Sequence, residues 1–353
     1  MTEPANPPVF DGHNDVLLRL PLQGRSFFER GTRGHLDLPR ALEGGFGGGF
    51  FACYAPNPRK EWSEEAAISY TEQGYDISPA PRLDTGRAVR STLAAAARLF
   101  RIETESEGKL KVVRSASEIE ECLERGVIAA VPHVEGAEAI GEELDELEVL
   151  YRAGLRSLGP VWSRSNIFGH GVPFRFPGSP DTGPGLTETG RKLIRECGRL
   201  GVMVDLSHLN ERGFWDVAGI TDRPLVATHS NAHALCDTPR NLTDRQLDAI
   251  RDSGGMVGVN FAVAFLRSDG RQEPDTPITE IVRHVDHMVE RMGVDHVGLG
   301  SDFDGATVPR ELGDVSGLPR LLDRLRERGY GPEELRKLAS GNWLRVLRKT
   351  WGE

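Results

Sequence analysis

Eight short apolar runs punctuate the chain, at residues 9–15, 49–54, 128–135, 156–162, 202–208, 225–229, 256–261 and 296–302. Several are almost unbroken in Val, Leu, Phe or Ala, as in IAAVPHV and GVMVDLSH. A strand buried on both faces reads this way because neither face meets water, whereas a strand with one wet face alternates. Between the runs lie segments of helical period at 64–75, 85–103, 117–125, 142–153, 187–200, 243–253, 277–292, 316–328 and 333–345. In RAVRSTLAAAARLFRIE, Val89, Leu93, Ala96 and Phe100 fall on one stripe. Thr187 is followed three residues later by Gly190, which is no capping box, so that helix start rests on periodicity alone. Pro332 before Glu333 suits a first-turn proline.

Strand–helix alternation along the whole chain predicts an α/β fold. Eight candidate strands close most economically into a (β/α)8 TIM barrel of the metal-dependent hydrolase type, with an open doubly wound sheet as the alternative. No internal repeat or dividing linker interrupts the pattern, so residues 1–353 read as one barrel domain. One segment breaks the rhythm. Residues 163–185, SRSNIFGHGVPFRFPGSPDTGPG, are rich in Gly and Pro and have no period. They follow the fourth strand, which puts them over the C-terminal mouth as a lid or pocket wall.

Composition removes several function classes. The net charge is −10, with both signs interspersed and no basic patch, which argues against nucleic acid and against an anionic membrane surface. No apolar stretch reaches membrane-spanning length, and the first residues lack the pattern of a secretory leader, so a soluble cytoplasmic protein is expected. Cys53, Cys122, Cys197 and Cys236 form no C-x-x-C pair, and a chain of this size needs no disulfide scaffold.

Polar residues of metal-binding type end five of the apolar runs: His13 and Asp15, Glu135, His208, His229 and Asp302. The C-terminal ends of barrel strands converge on one mouth, so these distant residues share one site if the barrel forms. Spacing by two puts His13 and Asp15 on the same side of their strand. Three imidazoles and two carboxylates suit borderline divalent ions, zinc above all. Five donors exceed what one catalytic ion needs and fit two ions bridged by Glu135, with His13 and Asp15 on one and His208 and His229 on the other. Asp302 is then left over as a general base and acid. His133, His170, His233, His284, His287 and His296 are weaker candidates. His284 and His287 read as surface positions on a helix, and His35 reads as structural.

The same residues carry a resemblance to the membrane dipeptidase (renal dipeptidase) family of binuclear zinc, amidohydrolase-like metallopeptidases. It runs through DGHND from Asp11, HLDLPR from His35, the glycine-rich approach to FFACY, VEGAEAI from Val134 and VDLSH from Val204. It continues through ATHSNAHAL from Ala227, PRNLTD from Pro239, GMVGVNF from Gly255, GLGSDFDG from Gly298 and the closing GNWLRVL with Asn342 and Arg345. The resemblance implies a (β/α)8 barrel with two zinc ions. It places His13, Asp15, Glu135, His208 and His229 on the ligands and Asp302 on the acid/base. Arg240 falls on the arginine that grips the substrate's C-terminal carboxylate. The chain departs from the family in one place. Well-known members carry a histidine just after the fourth strand that polarises the substrate carbonyl. Here LGPVWSRSN puts Trp162 or Ser163 there, and Arg164 or His170 is the expected replacement donor.

The expected activity is hydrolysis of dipeptides, L-L and L-D included, by a metal-bridging hydroxide. The expected partner is a small-molecule substrate, a dipeptide or small amide with a free carboxylate; a homodimer is compatible with the fold. Two alternatives remain open. The Trp162 departure leaves room for a related hydrolase of N-acyl amino acids or lactones, and for a metal-binding protein without turnover.

Overall fold

All eight apolar runs form strands in the computed structural model, which describes residues 6–58 and 60–352. The parallel strands are β1 (Val9–Asn14), β2 (Phe46–Ala52), β3 (Ile128–Glu135), β4 (Ser157–Gly159), β5 (Met203–Val204), β6 (Val226–Ala227), β7 (Met256–Val259) and β8 (Val297–Leu299). They neighbour one another in chain order. Single parallel bridges close the two remaining seams, Asp205 with Val226 between β5 and β6, and Asn14 with Phe303 between β8 and β1. At the second seam Asp302 N donates to His13 O at 3.0 Å and Asp15 N to Phe303 O at 2.8 Å. The fold is thus a closed (β/α)8 barrel, as the strand count predicts.

β3 shows how the sequence builds the wall. Ala129 and Val131 pack in one buried cluster with Phe10, Phe50, Met203, Val226 and Met256 from the other strands. Ile128, Ala130 and Val134 pack in a second cluster with helix residues such as Leu99, Leu147 and Leu193. The period of two therefore separates the barrel interior from the helical layer, and the inward parity carries His133 and Glu135 to the top of the barrel. Trp343, from the helix Asn342–Trp351, joins the interior cluster and donates its indole N–H to Leu299 O at 3.2 Å. Glycine is required below the site. A Cβ on Gly258 or Gly300 would come within 2.0 Å of the Thr228 carbonyl oxygen, so any side chain there would pry β6 from its neighbours.

Several expectations need correction. Residues 64–75 are not one helix. Glu64–Ala67 makes a single turn, and Ile68–Tyr70 and Tyr75–Ile77 form an antiparallel hairpin. Arg175–Phe176, from the aperiodic 163–185 segment, adds a third strand against Tyr75 and Asp76. This remote partner overrides the local helical period, and the Cβ position of Gly74 lies 2.0 Å from Phe176 O, which only glycine tolerates. The helix Glu188–Leu200 does have a cap, since Thr187 Oγ1 accepts from Gly190 N at 3.0 Å without a reciprocal side chain. His284 is not on the surface. It is fully buried, its Nδ1 accepting from Ala232 N and its Nε2 meeting Leu266 O. The helices Val16–Gln23 and Leu38–Glu43 between β1 and β2, and the short strand Leu110–Val112 beside β3, lie outside the periodic segments. Among the described residues the four cysteines are buried and unpaired, and no helix is long and apolar enough to cross a membrane.

Candidate metal centre

The strand ends bring the five candidate donors together. Glu135 Oε1 lies 3.1 Å from His208 Nε2 and 3.7 Å from both His229 Nε2 and His13 Nε2. His208 Nε2 and His229 Nε2 are 3.1 Å apart, and His13 Nε2 is 3.4 Å from Asp15 Oδ2. Donors bound to one tetrahedral ion at 2.0–2.1 Å stand roughly 3.3 Å from each other, so these separations suit donors to a common ion. The chemistry of the set agrees. Both ring nitrogens of His13 are buried without a hydrogen-bond partner among the described residues, and His208 Nε2 and His229 Nε2 converge on the same carboxylate oxygen. The residues present fit a divalent metal. Asp302 comes within 4.8 Å of His13 and Asp15 by its nearest ligand-type atom, and Asn260 Nδ2 donates to its Oδ2 at 3.0 Å.

Backbone geometry aims two of these side chains. His208 (φ 68°) and Asp302 (φ 60°) sit in the left-handed region that L side chains seldom adopt. Each follows a short barrel strand and turns the chain sharply back over the mouth. Strain of this kind persists only where the surrounding structure over-determines it.

Hydroxyl groups orient the imidazoles. Ser163 Oγ is 2.8 Å from His208 Nδ1. Thr228 Oγ1 donates its one proton to Asp205 Oδ2 at 2.6 Å, so toward His229 Nδ1, at 2.8 Å, it acts as an acceptor. That bond places the His229 proton on Nδ1 and leaves the Nε2 lone pair facing the cluster. Asp205 is fixed in turn by the amides of Ser207 and Thr228. Sequence reasoning missed this support. Its only signal is a hydroxyl or carboxylate one to three residues from each histidine in VDLSH and ATHS, a pattern too common to single out.

The electrostatics are those of a cation site. Burial pushes the Glu135 and Asp302 carboxyls up, against the opposing pull of His13. Burial also works against a charged His13, but the carboxylates of Glu135 and Asp15 outweigh it and raise that imidazole. Burial, with Arg240 and His13 nearby, holds His208 and His229 well below the usual range, hence neutral and ready to ligate. A metal taken up by such a set releases the protons the donors share.

Arg240 reaches the same place. It is buried, with Nη2 donating to His229 O at 3.1 Å, its Nε without a partner among the described residues, and its Cζ 5.3 Å from the Phe265 ring centroid. A guanidinium so placed has bonding capacity left for a carboxylate. Arg164 and His170 do not reach the donors, which corrects the expectation that one of them replaces the missing histidine. Arg164 is fully engaged behind the wall, with Nε on Glu138 at 3.0 Å, Nη1 on Asn57 at 2.5 Å and Nη2 on Ala55 O at 3.1 Å. Its buried carboxylate partner draws it inward, because an unpaired charge there would be costly. His170 lies away from the cavity, with its Nδ1 on Ser165 Oγ at 3.1 Å.

The donors open into a cavity of about 430 Å³. Asp15, Glu135, His208 and Asp302 form its floor, and Tyr54, Trp62, Trp162, Phe174 and Phe265 give it an aromatic wall. The ring centroids of Trp162 lie 5.2 Å from Tyr54, 5.3 Å from Phe174 and 5.8 Å from His208. Sequence periodicity could not find this wall, because Tyr54, Trp162 and Phe174 stand on irregular segments. A polar floor with a few convergent charges under apolar walls is the usual form of a small-molecule site.

The model of the membrane dipeptidase family (peptidase family M19) matches residues 5–351. An uncharacterised Klebsiella pneumoniae protein from the pqqA 5′ region is 58% identical over 246 residues, 70% of this chain and 91% of that protein. The crystal structure of a dipeptidase AC, a metallopeptidase of family M19, superposes with a TM-score of 0.94 at 52% identity, covering 99% of this chain and 100% of that one. A Rhodobacter sphaeroides metallopeptidase, crystallised with a phosphinate mimic of the dipeptide L-Ala-D-Ala, also gives a TM-score of 0.94 at 52% identity, covering 98% of this chain and 100% of that one.

Proposed function

The chain belongs to the membrane dipeptidase family, and from that premise we propose how its residues divide the work of metal-dependent dipeptide hydrolysis. The observation that carries the reading is the convergence of three imidazoles on Glu135 Oε1, with Asp15 beside His13 and with Asp302 and Arg240 close enough to act on the Glu135 charge. His13 and Asp15 would hold one divalent ion, zinc by the donor chemistry, and His208 and His229 a second, with Glu135 available to both. When bound, the ions supply Lewis acidity toward the scissile carbonyl and make water nucleophilic near neutral pH.

The protein's own groups do the rest. Arg240 takes the substrate's C-terminal carboxylate in charge-assisted bonds and so fixes the scissile bond over the floor. Asp302 accepts the proton of the attacking water and passes it to the departing amine nitrogen as the C–N bond breaks. Asn260, bonded to one Asp302 oxygen, leaves the other free for this transfer. Phe174 brings the 163–185 segment into the cavity wall, which is the part of that segment we assign to substrate contact. The L-Ala-D-Ala mimic held by the Rhodobacter relative supports dipeptides with a D residue at the C-terminal position as substrates.

Three measurements test this assignment. Zinc-loaded protein is expected to release free amine from L-L and L-D dipeptides and to be silent on C-terminally amidated ones. Arg240→Ala is expected to raise KM for a free dipeptide by roughly 10- to 100-fold, the cost of about 1.5–3 kcal/mol for a bond to a charged group. Unchanged KM, or equal rates on amidated and N-acetylated compounds, would move the substrate class away from dipeptides. Thr228→Val keeps the shape but removes the acceptor on His229 Nδ1 and is expected to weaken metal retention about 10- to 100-fold. Competition with a calibrated chelator reads that change directly, and wild-type retention would mean that Thr228 merely packs.

A further inference from the structure

Four of the chain's five tryptophans spend their indole N–H on a protein oxygen: Trp62 on Ser78 O, Trp215 on Glu211 Oε1, Trp343 on Leu299 O and Trp351 on Arg156 O. Trp162 differs. It is only 8% exposed, its N–H meets no acceptor among the described residues, and it is not walled in by protein, because the ring lines the substrate cavity. An indole N–H that no protein oxygen satisfies and that opens onto a cavity is available to an acceptor held there. For Trp162 the remaining source of an acceptor is a molecule in the cavity.

The position of the ring says which atom of that molecule. β4 and β8 stand four places apart in a ring of eight, so they face each other across the barrel. Trp162 follows β4, and Asp302 follows β8. A carbonyl held over the floor between them has the proton carrier on one side and the indole on the other. The tetrahedral species formed when water adds has its nitrogen and its oxygen pointing different ways, and Asp302 serves the nitrogen. The ring is also fixed before substrate arrives. Tyr54, Trp62 and Phe174 surround it at centroid distances of 5.2, 6.0 and 5.3 Å, and the Arg164 guanidinium sits 5.6 Å from its centroid. A cation against the π face draws density from the ring and makes the N–H a better donor.

We propose that Trp162 is a catalytic residue whose indole N–H hydrogen-bonds the scissile carbonyl oxygen as that oxygen becomes negative. The inference rests on the dipeptide reading above. As the water oxygen bonds to the carbonyl carbon, the carbonyl π pair moves onto the oxygen and the indole bond strengthens. The N–H proton is never transferred; it remains on the ring when the C–N bond breaks and the carbonyl re-forms. A donor that acts mainly on the charged species lowers the barrier more than it aids substrate binding.

The test compares metal-loaded wild type with Trp162→Phe and with protein carrying 3-benzothienylalanine at position 162, which keeps the bicyclic shape and replaces N–H by sulfur. Metal content and thermal melting confirm that each variant is intact. The expected result in both is a fall in kcat of roughly 10- to 100-fold with KM within about threefold, a neutral donor's share of the loss seen when one oxyanion donor is removed. The phosphinate mimic of L-Ala-D-Ala is expected to bind more weakly by a similar factor, and in wild type the ¹⁵N-indole resonance of Trp162 is expected to shift on binding it. Unchanged kcat and phosphinate affinity in the benzothienyl protein would overturn the proposal, as would a loss confined to KM, which marks a ground-state contact. Wild type that turns over no dipeptide would instead overturn the reading on which the proposal stands.

Discussion

Asp302→Asn is expected to lower kcat on a dipeptide by about 10²- to 10⁴-fold, the range contributed by a positioned proton carrier. The protein should fold and keep its metal. Asn tolerates the left-handed conformation at this position (φ 60°) better than other uncharged residues and can still accept from Asn260 Nδ2. What the amide cannot do is take a proton from water and return it to the amine. The measurement is single-turnover hydrolysis with metal content determined on the same sample. Loss of activity with full metal occupancy isolates proton transfer. Loss of metal in parallel would make Asp302 a ligand instead, a role its approach to His13 and Asp15 leaves geometrically open.

The second large effect belongs to Glu135, the residue all three imidazoles share. Glu135→Gln preserves volume but removes the anion at the centre of the cluster. The purified variant is expected to retain less than about half the wild-type metal, and its fall in kcat should exceed the roughly 10²- to 10³-fold that losing a single oxyanion donor costs in other hydrolases. Stability without metal should change little. Burial drives the Glu135 carboxyl toward its neutral form, and in metal-free protein it shares a proton with His13, so an amide of the same volume alters the buried charge only slightly. With chelator present, variant and wild type should therefore melt at similar temperatures. With zinc present, wild type should melt higher, because binding to the native state alone stabilises it by mass action, about 4.1 kcal/mol at a thousandfold excess over Kd. Thermal scans of both proteins with and without chelator give all four values. A variant that loaded fully with zinc and stayed active would remove Glu135 from the centre of the site.

Much of the site was readable before any coordinates, for a physical reason. Strands buried on both faces leave unbroken apolar runs, and a polar residue at the end of such a run has little reason to be there unless it is used. His13, Glu135, His208, His229 and Asp302 all stood out in that way, and the structure brings them together. Arg164 illustrates the limit. Its sequence position, two residues after Trp162, suited a donor into the cavity. Glu138, 26 residues earlier, holds it on the far side of the wall. The hairpin at 68–77 failed for the same reason, since its third strand comes from residues 175–176. His284 read as a surface histidine because its helix is amphipathic, yet its two partners, Ala232 N and Leu266 O, come from outside that helix.

The sequence by itself determined the strand count, the period that sorts inward from outward residues, the donor set and the family to which the set belongs. All of these are local patterns or identities, written in residue spacing. The tertiary structure alone decided how the barrel seams close at Asp205–Val226 and Asn14–Phe303, which hydroxyls stand behind His208 and His229, and which aromatic rings wall the cavity. It also decided that Trp162, rather than Arg164 or His170, lines the cavity. Each of these is a contact between segments far apart in the chain, set by which buried polar groups must find partners once the barrel has closed, and no spacing along the sequence records that choice.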